Sequence, residues 1–128
     1  MMNRIQKFPT SQKIEDVEKY MDTMIKFAFK CVHKDRLSNS HIVYYPSYYL
    51  YRSDMNPLTD NNHIDNYKLV QVIVRKITNN STLITVKQEG MWDSDWRGPK
   101  VSTVFNRVVD MIKASIDKYF EQGINIHN

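Results

Sequence analysis

This chain reads as one α+β domain, a two-layer sandwich of α-β-β-β-α order in which two helices cover an antiparallel meander sheet. Three observations predict it. Apolar residues recur at helical spacing near both ends of the chain, β-branched runs separated by Asn-rich turns lie between them, and 128 residues suffice for one hydrophobic core and no second. Residues 1–10 read as an N-terminal arm, 53–66 as a long polar loop and 124–128 as a short tail.

The first helix is expected over about 12–35. Ser11 suits its N-cap, and Ile14, Val17, Met21, Met24, Ile25, Ala28 and Val32 form its stripe. Glu15, Asp16 and Glu18 complement the positive end of the helix dipole, and Lys30, Lys34 and Arg36 the negative end. Phe27, Phe29 and Cys31 widen the stripe, so its second half reads as packed on more than one side. Next, HIVYYPSYYLYR (41–52) is rich in strand-forming residues. Pro46 lacks an N–H for a ladder, so the segment reads as an edge strand broken at that residue.

The strongest hairpin signal is YKLVQVIVRKI followed by LITVKQEGMW, joined through Thr78-Asn79-Asn80-Ser81, because Asn tolerates the positive φ of a tight turn. A two-residue turn at Asn79-Asn80 would put Leu69, Ile73, Ile77, Ile84 and Val86 on one face, and Val70, Val72, Val74, Leu83 and Met91 on the other. Both faces would then be apolar. If both helices cover one of them, the other needs a cover or a partner.

MWDSDWRGPK (91–100) holds both tryptophans of the chain and reads as a corner. Trp92 and Trp96 would anchor it and Gly98-Pro99 would turn it. Ser102 then caps a second helix over about 102–122, with Val104, Phe105, Val108, Val109, Ile112, Ile116, Tyr119 and Phe120 as its stripe and Gly123 as its C′ residue.

The formal net charge of +4 is modest, and acids are interleaved with the basic residues, so composition permits a nucleic-acid partner without indicating one. Cys31 is the single cysteine, which removes an intramolecular disulfide and a thiolate zinc cluster from consideration. No stretch reaches the roughly 18 apolar residues of a membrane span, and MMNRIQKFPTSQ does not resemble a signal peptide. A cytoplasmic location and no membrane partner are the expectations. The abundance of Asn, Lys, Ile and Tyr suggests an AT-rich coding sequence, as in many phages, mobile elements and bacterial pathogens.

Site chemistry is sparse. Asp60, His63 and Asp65 could hold a divalent ion but read as turn residues. Asp93 and Asp95 could serve a small hydrolase, yet two acids just after a strand more often decorate a turn. Cys31 and His33 do not form a ligand pair on a helix. There is no G-x-S-x-G motif and no phosphate-binding glycine loop, so no enzyme activity, cofactor or metal is expected.

The order α-β-β-β-α is similar to that of the double-stranded-RNA-binding domain. That module reaches phosphates through a lysine cluster at the start of its last helix, where this chain has only Lys100 and Arg107, so the resemblance stops at topology.

These readings favour a non-catalytic protein-interaction or assembly subunit, a homo-oligomer or part of a larger complex. Its contact residues would be Tyr44, Tyr48, Tyr49 and Tyr51 on the Tyr-rich strand, Val70, Val72, Val74 and Leu83 on the second sheet face, and Trp96 with Arg97. The alternative is a nucleic-acid-binding module in which Lys68, Arg75, Lys76 and Lys87 contact phosphates while the tyrosines stack on bases.

Overall fold

A computed structural model of the chain describes residues 3–29, 31–47, 70–89 and 103–114. Along the chain come β1 (Asn3–Thr10), α1 (Ile14–Ala28), β2 (Cys31–Ser38), β3 (His41–Ser47), β4 (Val70–Thr78) and β5 (Ser81–Glu89), then a helix over 103–114, here α2. The strands make one antiparallel sheet in the order β1-β5-β4-β3-β2. The expected α+β sandwich with a meander sheet is present, the meander being β2 to β5. Two further strands, β1 and β2, enlarge it, so the element order is not α-β-β-β-α. The loop at 53–66, the corner at 91–100 and the tail at 124–128 lie outside the described residues.

Residues 3–10 are an edge strand and not a free arm. Phe8 is the partner of Ile84 in β5 and packs on the core, while Pro9 stands opposite Leu83 in an edge position that tolerates a missing N–H. The connection to α1 is pinned where the buried Thr82 hydroxyl donates to the Gln12 carbonyl at 2.7 Å. Lys13, not Ser11, is the N-cap of α1, and its carbonyl accepts the amides of Asp16 and Val17, each at 3.1 Å.

The helix stops at Ala28. Phe29 is already extended (φ −133°, ψ 143°), and the residues expected to be its last turns form β2 instead. The spacing from Ala28 to Val32 is four residues, which a period of 3.6 and a period of 2 satisfy equally, and this misled the sequence reading. The Asn39-Ser40 turn, with Ser38 opposite His41, closes β2 onto β3. Nor is the second half of α1 packed all round: Ile14, Val17, Tyr20, Met21 and Ile25 are buried on one side, and Phe27 is 86% exposed on the other.

Flanked by β2 and β4, β3 is an interior strand and not an edge. Pro46 is tolerated there because the ladder with β4 runs only from His41 to Tyr44, so no β4 carbonyl waits for its missing N–H.

The Asn79-Asn80 turn is present, with Thr78 opposite Ser81, but one bulge at Ile77 follows it. The register shifts between Lys76 and Thr78, leaving Val74 opposite Ile84 and Val72 opposite Val86. Val70, Val72, Val74, Ile84 and Val86 therefore share a face, and Leu83 joins Ile73 on the other. The first face, with Ile42 and Tyr44 of β3, forms a single core with α1 and with Val104, Phe105, Val108, Val109 and Ile112 of α2. Both helices thus lie on one side of the sheet.

Because β1 and β2 occupy opposite edges, α1 has to cross the whole sheet. Fifteen residues rising about 1.5 Å each give about 22 Å, against about 19 Å for four strand spacings of about 4.8 Å. The helix is long enough to strap one edge to the other.

Candidate functional site

The side of the sheet away from the helices is the candidate site. Pairing partners share a face, so its residues follow from the register. One row runs Lys7, Thr85, Ile73, Val43 and Asp35 across all five strands, a second runs Pro9, Leu83, Arg75 and His41, and a third contains Ile5, Lys87 and Gln71. Tyr45 and His33, paired between β3 and β2, extend the third row. Val43 is buried at 5% exposure, Ile73, Leu83 and Tyr45 are half-buried, and Ile5 is 52% exposed. An apolar band thus crosses the face inside a rim of charge.

The rim is partly self-neutralised. Lys87 pairs with Glu89 at 2.6 Å and His33 with Asp35 at 2.8 Å, and the His33 ring lies 5.9 Å from that of Tyr45. Lys7 and Arg75 are exposed cations on the same face. Both sheet edges carry charge as well: Arg4 and Lys7 with Pro9 on β1, and His33, Lys34, Asp35 and Arg36 on β2. Charged side chains and proline discourage strand addition, so the face, and not an edge, is the surface suited to contact.

A second polar group lies on the helix side and ties α1 to β2. Lys34 Nζ donates to Glu18 Oε2 at 2.7 Å and to Asp22 Oδ1 at 3.0 Å, Arg36 donates to Glu18, and the Tyr44 hydroxyl donates to Asp22 Oδ1 at 2.7 Å. Lys34 Nζ also stands 5.6 Å from the centre of the Tyr44 ring. Burial alone would raise the Glu18 carboxyl, but the hydrogen bonds from Lys34 and Arg36 outweigh it and hold the group below its usual range. Burial likewise opposes the Lys34 charge, and the carboxylates of Glu18 and Asp22 more than compensate, raising its pKa. Burial, reinforced by the bond to Asp22, pushes the Tyr44 hydroxyl far up. Each charge has an opposite partner, and the tyrosine is held neutral. The arrangement fastens two elements together and supplies neither a nucleophile nor a base.

The predicted site residues separate accordingly. Val70, Val72 and Val74, expected on a contact face, are core residues at 3%, 0% and 0% exposure, because the bulge at Ile77 reverses which residues of β4 point towards the helices. Tyr44 is also in the core, bonded to Asp22. Leu83 does lie on the open face. Among the cations of the nucleic-acid alternative, Arg75 and Lys87 share that face, whereas Lys76, the partner of Thr82, belongs to the helix side at the end of the sheet. Tyr48, Tyr49, Tyr51, Lys68, Trp96, Arg97, Asp60, His63, Asp65, Asp93 and Asp95 lie outside the described residues. Sequence reasoning overlooked Ile5, Lys7 and Asp35, which it had placed in an arm and a helix. No period-two pattern marks β1, because its apolar residues Ile5 and Phe8 point to opposite faces.

Among the described residues no group of three or more His, Cys, Asp or Glu side chains could hold a metal ion, and no helix is long and apolar enough to cross a membrane. Comparison with protein-family models, with curated proteins and with solved structures finds no match to this chain.

Proposed function

We propose that the protein is a non-catalytic interaction or assembly subunit that docks through the open face of its sheet. One observation carries this reading: both described helices pack on the same face, while the opposite face presents Ile5, Tyr45, Ile73 and Leu83 as a band across the strands. A band of that kind, rimmed by charge, has the composition of a contact surface. The contact is expected to survive as a property of surface residues. Ile73→Asp and Leu83→Asp should each leave the far-UV circular dichroism and the melting transition nearly unchanged while removing association, whereas Val72→Asp should unfold the chain. Unfolding by both open-face substitutions would make that face part of the chain's own core and end the proposal.

A second reading is favoured by the placement of Lys7, Arg75 and Lys87 on the same face as Tyr45, a combination that suits single-stranded nucleic acid. It predicts oligonucleotide binding that weakens steeply with salt and falls on substituting Arg75 with Ala. The pairing of Lys87 with Glu89, and the presence of Asp35, make it the lesser of the two.

A further inference from the structure

Along its central row the open face is charged in opposite senses at its two ends. Lys7 stands on one edge strand and Asp35 on the other, with Thr85, Ile73 and Val43 between them. Because β4 is the middle strand of five, Ile73 sits at the midpoint. Among the described residues Lys7 makes no ion pair. The Asp35 side chain, bonded to His33, is still 41% exposed.

We propose that the occupant of this face is a second copy of the chain, packed face to face about a twofold axis that runs along the strands through Ile73. The proposal rests on the interaction reading and names its partner. Rotation about that axis reverses the strand order, so β1 of one copy lies over β2 of the other. Lys7 then meets Asp35 of the second copy and Asp35 meets its Lys7, which makes the row self-complementary. Ile73 packs on its own symmetry mate.

The neighbouring row behaves in the same way. Tyr45, one residue beyond the Tyr44–Val72 pair, falls level with Gln71, so Lys87 comes over the Tyr45 ring of the second copy in a cation–π arrangement. The twofold axis across the strands is excluded by charge, since it would set Lys7 over Lys7 and Asp35 over Asp35. Aligned sheets cross at about 30°, which displaces the outer strands by about 5 Å, within the reach of a lysine side chain.

The size of the face sets the strength. Four strand spacings of about 4.8 Å and strand lengths of about 24 Å give about 450 Å² per copy, or roughly 900 Å² in total, below the roughly 1,200 Å² at which stable interfaces begin. Arg75, on the central strand, also approaches its own symmetry mate. A weak, reversible dimer follows.

Sedimentation of the full chain over a range of concentrations tests this. The wild type should pass from monomer to dimer, Lys7→Glu and Asp35→Lys should each weaken the dimer by roughly tenfold or more, and the two together should restore it. Lys7→Glu leaves the His33–Asp35 bond untouched, so its effect and its rescue report the contact between copies and not a local rearrangement. Ile73→Asp should leave a folded monomer. A wild type that is monomeric at every concentration, single reversals without effect, or a double variant no better than the singles would each overturn the dimer. The interaction reading itself would survive those results as long as Ile73→Asp stays folded, and it falls with the dimer if Ile73→Asp and Leu83→Asp both unfold.

Discussion

Glu18 receives hydrogen bonds from two cations on the neighbouring strand, and its carboxylate is the hinge of the polar contact between α1 and β2. Its folded pKa lies below 4.5, so it favours the folded state above the unfolded value, and that contribution disappears as pH falls through the folded value. Urea midpoints measured from neutral pH down to about pH 3 should therefore decline for the wild type, and Glu18→Gln should lower the midpoint at neutral pH while flattening the acid limb. A parallel decline in both proteins would mean that other carboxylates dominate. Tyr44 shows why such a contact is hard to read in advance. In sequence it is one of five tyrosines that looked like a stacking platform, and only the packing of β3 under α1 brings its hydroxyl to Asp22. Partners separated by 22 residues leave no periodic trace.

The two hairpins share one construction. In each, an aliphatic residue stands at the register shift, Leu37 in the first and Ile77 in the second, followed by a hydroxyl residue whose oxygen accepts an amide across the turn: Ser40 N to Ser38 Oγ at 3.1 Å, and Asn80 N to Thr78 Oγ1 at 3.2 Å. The turns are neighbours, since Lys76 N donates to the Ser40 carbonyl at 2.9 Å. Because the extra residue is accommodated at the bulge, deleting Ile77 should leave an ordinary two-residue hairpin in the same register and cost less than about 1.5 kcal/mol, whereas deleting Val74 should abolish folding by moving the core row to the wrong face. Thermal melts of the two deletion variants decide this, and equal damage from both would refute it. The bulge also marks the limit of what the residues disclose. Asn79-Asn80 announced the turn and the stripe of α2 announced the helix, because each is a local preference. An extra residue in a strand leaves no mark on the pattern, and it reversed the assignment of Val70, Val72 and Val74 while leaving that of Leu83 unchanged. The strand β2 was hidden for a related reason, its spacing from Ala28 to Val32 serving either period.

Across the whole molecule, the two-layer architecture was legible because apolar stripes at both ends of the chain require a sheet between them. The candidate face was legible only as a problem, namely an apolar row without a cover. Its composition depended on β1 and β2, the two strands that the residues do not advertise, and so Lys7 and Asp35 could not be matched beforehand. The same two strands protect the edges. Removing residues 1–10 should bare β5, a nine-residue strand that lacks the proline of β1, and light scattering should then detect aggregation at concentrations where the full chain stays clear. A truncated chain that remained soluble and as stable as the full one would show that β1 contributes little.

The placement of β1 beside β5 also bears on the timing of biosynthesis. Of the described strands the earliest in the chain, β1, is paired with the latest, β5, so Asn3 must wait for Glu89. During translation α1 therefore hangs from a strand without a partner while the meander assembles one hairpin at a time. Late closure between sequence-distant strands is slow, so β1 spends the longest interval unpaired, and a folding helper would be most useful then.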